Sequence, residues 1–215
     1  MRQPQPAMSK LKPQTVGILI FNDVEVLDFC GPYEVFAATT LSQQEPAKEG
    51  IKPFDVLTIA EHDTAIRCRG GMVVLPSCSI EDHPPLDILV VPGGRGVRRE
   101  LDNPPILNWI AVQHGRAGVT ISVCTGAFLL AARGLLDGVE ATTHSSAIEL
   151  LHQKHPAVLV RKGLRYVDHG SIITSAGVSA SIDAALHVVS RFHGEYIAQQ
   201  TAREMEYQYP ASLAL

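Results

Sequence analysis

Residues 118–134 read GVTISVCTGAFLLAARG, and the fold turns on how this stretch is read. Gly118–Val123 is an apolar run of strand length. It passes without a polar linker through Cys124-Thr125-Gly126 into AFLLAARGLL, a series of good helix formers that stops near Gly134. A strand feeding directly into a helix is the repeating unit of a parallel sheet. The pattern recurs. Thr15–Phe21 (TVGILIF), Phe54–Ala60 (FDVLTIA) and Leu86–Gly94 (LDILVVPGG) are continuous apolar runs suited to strands covered on both faces. Helical spacing begins at Gly31-Pro32, with Pro32 in a first turn, and recurs at 105–114, 146–154, 179–192 and 196–207. Residues 64–76 alternate about Gly70-Gly71, a hairpin signal, and 41–53 is a polar loop. Short β signals lie at 139–142, 158–160, 164–167 and 172–174. The expectation is an α/β fold, a mostly parallel sheet sandwiched by helices on both faces in a three-layer α/β/α arrangement.

A chain of 215 residues that is 46% hydrophobic supports one sizeable core. No repeat or linker interrupts it, so the expected organisation is a disordered leader over 1–14, a single domain over 15–207 and a tail over 208–215. With 18 basic against 22 acidic residues, and basic clusters that carry no interleaved aromatics, neither nucleic acid nor a membrane surface is the expected partner. The four cysteines form no CxxC pair, no secretory segment precedes them, and no run of about 18 apolar residues occurs. A cytoplasmic protein is expected.

Ligands of open α/β sheets bind beyond the carboxyl ends of the strands, which singles out three places. Cys124 sits in the setting of a nucleophile elbow. The following helix offers free N–H groups and a positive dipole end, both of which favour thiolate; the ordinary alternative is a buried structural cysteine. Gly93 and Gly94 allow close backbone approach or N–H donation to an oxyanion, where a plain turn is the simpler account. Asp28, between apolar neighbours, is either a helix N-cap or a buried acid whose pKa is raised by desolvation. Among nine histidines only His144 follows a strand toward the same rim. No metal-binding motif and no phosphate-binding loop is present, so no metal and no cofactor is expected.

VLDFCGPYEVF, DILVVPGG, SVCTGAFLLAARGLLDG, ATTHSSAIELL and ITSAGVSASIDAALHVV, in this order and spacing, resemble the ThiJ/PfpI superfamily over about residues 15–207. That resemblance implies the flavodoxin-like, class I glutamine amidotransferase-like variant of the fold, and a homodimer. Within the superfamily the chain resembles the isonitrile hydratase-like branch and the ligand-binding domains of arabinose-type activators. The resemblance makes Cys124 the nucleophile and Asp28 its acidic partner. It places Thr125 as the residue of this branch, Gly93-Gly94 on the oxyanion side and His144 near the pocket. Cys30 and Ser145 depart from the branch, which usually has threonine and tryptophan there.

The function so implied is hydration of an isonitrile, a small-molecule substrate, to an N-substituted formamide by a lyase with a cysteine nucleophile. Phe29, Tyr33 and Phe128 are candidates for an apolar wall around it, with a place in the core the simpler account of each. Two alternatives stand beside it: a glyoxalase-like hydratase of 2-oxoaldehydes using the same cysteine, and a non-catalytic small-ligand or redox sensor.

Overall fold

The apolar runs become strands because only a sheet covered on both sides can bury every second side chain and its neighbours alike. The computed structural model of the chain describes residues 12–41 and 50–209. In chain order the elements are β1 (Gln14–Leu19), α1 (Val26–Ala38), β2 (Phe54–Ala60), the hairpin β3 (Ile66–Arg67) and β4 (Val73–Val74), β5 (Cys78–Ser79) and β6 (Ile88–Val91). Then come α2 (Val97–Glu100), α3 (Pro104–His114), β7 (Val119–Val123), α4 (Ala127–Ala131), β8 (Glu140–Ala141), α5 (Ile148–Lys154) and β9 (Leu159–Val160). The chain continues with β10 (Tyr166–His169), β11 (Ile172–Ser175), α6 (Ala180–His193) and α7 (Glu195–Glu204).

Seven strands form one sheet in the order β10-β11-β7-β6-β1-β2-β5, parallel throughout except between β10 and β11. Helices flank it in three layers, with α1, α6 and α7 packed together on one side and α2, α3 and α4 in mutual contact on the other. All residues of β6, β7 and β11 are buried, as are Val16, Ile18 and Leu19 of β1. Each fully buried Val, Leu or Ile of these strands contributes roughly 1.5–3 kcal/mol of transfer free energy. This makes the four central strands a rigid platform. Register brings their carboxyl ends together: Val91 lies beside Ser122, and Val123 beside Ser175.

Three local expectations differ from the structure. Helix α1 starts at Val26, so Pro32 lies in its interior instead of its first turn. The missing N–H and ring clash cost about 3 kcal/mol, and the buried face of Phe29, Pro32, Val35 and Phe36 outweighs that. Asp28 is thereby a first-turn residue inside the helix, and Glu25 holds the N-cap position. The helix after the elbow ends at Ala131, with Gly134 (φ 69°) and Gly138 (φ 72°) forming turns beyond it. The strand β5 and the helix α2 carry no sequence signal strong enough to have been expected. Gln14 is already paired in β1, its N–H donating to Pro53 O at 2.8 Å. Residues 1–11 of the expected leader and 210–215 of the expected tail lie outside the described residues, as does most of the 41–53 loop.

Candidate active site

The β7–α4 junction is an elbow in the literal sense. Cys124 has φ 54°, a left-handed conformation that a non-glycine residue adopts at a cost of roughly 1–2 kcal/mol, and the surroundings hold it there. Its N–H donates to Ala176 O at 3.2 Å, and its carbonyl accepts from Thr143 Oγ1 at 2.7 Å. A single 3-10 turn over Cys124–Gly126 carries the chain into α4. The end of β6 runs tightly alongside. A Cβ on Gly126 would lie 2.1 Å from Val91 O, and one on Gly93 would lie 2.6 Å from Thr125 N and 2.7 Å from Thr125 Oγ1. Glycine is required at both positions because backbone meets backbone.

Asp28 enters from the first turn of α1 and is fully buried. Its Oδ2 accepts from Gly93 N–H at 3.1 Å, while Oδ1 has no hydrogen-bond partner among the described residues. Burial pushes this carboxyl up to about 7; the Gly93 N–H opposes the rise and the charge of Glu25 adds to it. The Cys124 thiol and the Val178 N–H also face the carboxyl and lower its pKa, but neither meets hydrogen-bond geometry with Oδ1. Burial, followed by the charge of Asp28, pushes the Cys124 thiol up to about 12, against the pull of the Thr125 N–H.

The direction of that shift corrects an expectation. The turn after Cys124 offers the Thr125 N–H to the sulfur, and that pull is smaller than the cost of burial and the charge of Asp28. Desolvation therefore wins. The two groups titrate as a pair whose first proton leaves the carboxyl, so near neutral pH the sulfur stays a thiol and the carboxyl is the group that changes protonation state.

The structure places the other expected residues around this pair. Gly93 donates its N–H to Asp28, and Gly94 donates its N–H to Thr125 Oγ1 at 3.1 Å. Neither amide is turned toward an incoming oxyanion, in contrast to the sequence expectation. The Thr125 hydroxyl donates back to Gly94 O at 3.3 Å, so its role is to tie the elbow to the β6 turn. The amide of Thr125, which faces the sulfur, is the donor left for developing charge. His144 reaches the same cavity. Its Nδ1 accepts from Ser146 N at 3.2 Å, which leaves the Nε2 side free to carry a proton, and its ring lies against Gly177, where a Cβ would meet Cδ2 at 2.1 Å.

Cys124, Thr125, Gly94 and His144 line a cavity of about 590 Å³. Phe128, Val97, Leu101, Leu150 and Val178 supply its apolar surface, while Glu25, Arg69, Arg95, Arg98, Asp102 and Lys154 supply charge. Phe128 is buried in the core, the simpler expectation for it, and also lines the cavity. Phe29 is in the core and Tyr33 is at the surface, and neither lines the cavity. Cys30 does not line it either, and Ser145 lines a separate, smaller cavity, so neither departure from the branch pattern lines the cavity at Cys124.

Sequence reasoning missed Val178. It has φ 54°, strained for a β-branched residue, and it presents both its amide to Asp28 and its side chain to the cavity. The only available signal was its place in AGVSAS directly after β11. Among the described residues no group of three or more His, Cys, Asp or Glu side chains is arranged to hold a metal ion, and no helix is long and apolar enough to cross a membrane.

Comparison with known proteins agrees with this geometry. A model of the DJ-1/PfpI family matches residues 14–191. An isonitrile hydratase of Pseudomonas putida is 34% identical over 192 residues, covering 89% of this chain and 78% of that protein. The HTH-type transcriptional regulator GbdR of Pseudomonas aeruginosa is 26% identical over 199 residues, which span 91% of this chain and 51%, about half, of the regulator. The crystal structure of a ThiJ/PfpI family protein from Pseudomonas syringae superposes with a TM-score of 0.80 at 25% identity, covering 99% of this chain and 84% of that one.

Proposed function

The chain belongs to the DJ-1/PfpI family, and from that premise we propose that it is an isonitrile hydratase-like enzyme in which Cys124 is the nucleophile and Asp28 the proton carrier. The observation that carries this reading is the left-handed elbow cysteine facing a fully buried carboxyl whose Oδ1 has no hydrogen-bond partner among the described residues, a setting in which burial raises the carboxyl to about 7. Such a carboxyl changes hands with a proton at little cost in either direction, which a general acid and base in one residue requires.

In the first step the Asp28 carboxylate takes the Cys124 proton as sulfur bonds to the terminal carbon of the isonitrile. The same proton then passes from Asp28 to that carbon, leaving a thioimidate, R–N=CH–S–Cys124. Negative charge that develops during the attack meets the Thr125 N–H. Water then adds to the thioimidate carbon, its proton going to nitrogen by way of Asp28. Collapse of the adduct breaks the C–S bond, gives the formamide R–NH–CHO and returns a proton to sulfur. The sum is one isonitrile plus one water to one formamide, with the enzyme unchanged. A sulfur held neutral until substrate arrives is consistent with the raised thiol pKa, because proton transfer and attack occur together. The apolar surface of Phe128, Val97 and Leu150 suits the body of an isonitrile.

A panel of cyclohexyl isocyanide and methylglyoxal with wild type, Cys124→Ala and Asp28→Asn tests the assignment. Formamide from the isonitrile, lost in Cys124→Ala and strongly reduced in Asp28→Asn, is the expected result. Lactate from methylglyoxal without formamide would replace the reaction with the 2-oxoaldehyde alternative, and binding without turnover of either would make the protein a sensor.

A further inference from the structure

The chain carries a net charge of -4, yet the cavity at Cys124 carries the opposite sign. Its charged lining is Arg69, Arg95, Arg98 and Lys154 against Glu25 and Asp102. Arg69 is closed off by a short ion pair with Glu25. Arg95, Arg98 and Lys154 make no ion pair among the described residues, and Asp102 alone is left to oppose them. The next residue along the chain shows that this is a matter of placement. Arg99, which does not line the cavity, is bonded to Asp23 Oδ2 at 2.9 Å and to Asn22 O at 2.7 Å. Between Arg95 and Arg99, at the start of α2, the arginine that does not line the cavity is neutralised and the two that line it are not.

The backbone that presents them is fixed. Gly96 N–H donates to Asp23 O at 3.2 Å, Val24 bridges to Gly94, and a Cβ on Gly96 would lie 2.0 Å from Asn22 O. Arg95 directly follows Gly94, whose N–H is bonded to Thr125, so the cations belong to the same rigid turn that frames the sulfur. Two guanidinium groups without carboxylates, above an apolar wall and a reacting thiol, are suited to a small molecule with an apolar body and an anionic end.

We propose that the cavity selects substrates bearing a carboxylate, with Arg95 and Arg98 as the binding residues; as a statement about the substrate, this rests on the reading of Cys124 as the reacting group. The carboxylate meets the guanidinium pair at the rim and its isonitrile carbon reaches Cys124 on the floor. Lys154, at the end of α5, adds to the field without the forked geometry that binds a carboxylate through two hydrogen bonds.

Two measurements with matched probes test this. In the first, Cys124 is alkylated with anionic iodoacetate or neutral iodoacetamide and the rates are read from its peptide by mass spectrometry. The ratio of the two rates, normalised to the same ratio for glutathione, is expected to exceed about tenfold at low salt and to fall as salt is raised. It is expected to drop several-fold in the Arg95→Gln/Arg98→Gln double variant and to stay unchanged in Arg116→Gln, an exposed arginine outside the cavity. In the second, kcat/KM is compared for isocyanoacetate and its methyl ester, with preference for the carboxylate expected in wild type and not in the double variant. A normalised ratio near one that the double variant does not change overturns the proposal; where the neutral thiol labels too slowly to read, the comparison of isocyanoacetate with its methyl ester decides, and equal kcat/KM for the two overturns it. Turnover of both isonitriles with the ester preferred overturns it too while leaving the proposed reaction standing. An anionic preference in alkylation with no turnover of any isonitrile supports the charged cavity and removes the isonitrile reaction.

Discussion

Replacing Asp28 by asparagine keeps the shape of the side chain and its acceptor for Gly93 but removes the titration, and the structure fixes what that does to stability. The carboxyl ionises near 3.8 when exposed and near 7 when folded, so between those values the folded state holds a proton that the unfolded state has lost. Stability contributed by the protonated acid is fully present below about pH 4 and falls as pH rises, levelling off above pH 7. Three pH units at about 1.36 kcal/mol each amount to about 4 kcal/mol over the whole window, of which about 2.5 kcal/mol falls between roughly pH 5 and pH 8. Asp28→Asn lacks this loss. Urea unfolding followed by the single tryptophan, Trp109, buried and bonded to His83, is therefore expected to show wild type losing about 2.5 kcal/mol relative to the variant between those two pH values. Other buried acids, such as Glu100 with its own raised pKa, are common to both proteins and cancel in the difference. Parallel pH profiles for the two proteins would refute the buried, neutral-titrating acid.

The same carboxyl sets the expected pH dependence of turnover: kcat/KM rises through about pH 7 as Asp28 becomes able to accept the thiol proton, and the limb is absent from the residual activity of Asp28→Asn. Thr125→Val leaves Gly94 with an unpaired N–H and lowers stability by about 1–3 kcal/mol, read as a drop in Tm; an unchanged Tm would argue against the tie between elbow and β6. Gly93→Ala puts a methyl group 2.6 Å from Thr125 N and is expected to cost at least about 1–3 kcal/mol and most of the activity. Gly70→Ala, which meets nothing within 4 Å, bears only the backbone cost of its φ of 85° and leaves activity intact. Because the thiol pKa is raised, mild peroxide is expected to oxidise Cys124 more slowly than free cysteine, measured by peptide mass; rapid conversion to sulfinic acid would favour a redox sensor.

The sheet was legible because β6 and β7 are wholly buried apolar runs and β1 is buried from Val16 onward, a pattern only a doubly covered strand requires, while β2 is buried at Phe54 and over Thr58–Ala60. The elbow was legible for a related reason: no polar linker separates Val123 from Ala127, so a small residue must turn the chain at Cys124. What the sequence did not disclose is where its signals conflict or where partners are distant. Pro32 marked a helix start by local chemistry, and tertiary burial of VLDFCGP moved that start to Val26. The roles of Gly93 and Gly94 depend on what their amides meet, Asp28 and Thr125, which lie 65 and 31 residues away in sequence. The thiol pKa depends on the depth of burial and on the facing Asp28 carboxyl, neither of which a run of helix formers specifies. Arg95 and Arg98 read as a solvated basic cluster, and only the fold shows that they border the cavity while Arg99 does not.

The most direct measurement is formamide production from cyclohexyl isocyanide by wild type and by Cys124→Ala, with folding of the variant verified by its urea transition. The account predicts turnover by wild type and none above background for the variant. Equal rates from the two proteins would contradict it, since no other thiol lines the cavity.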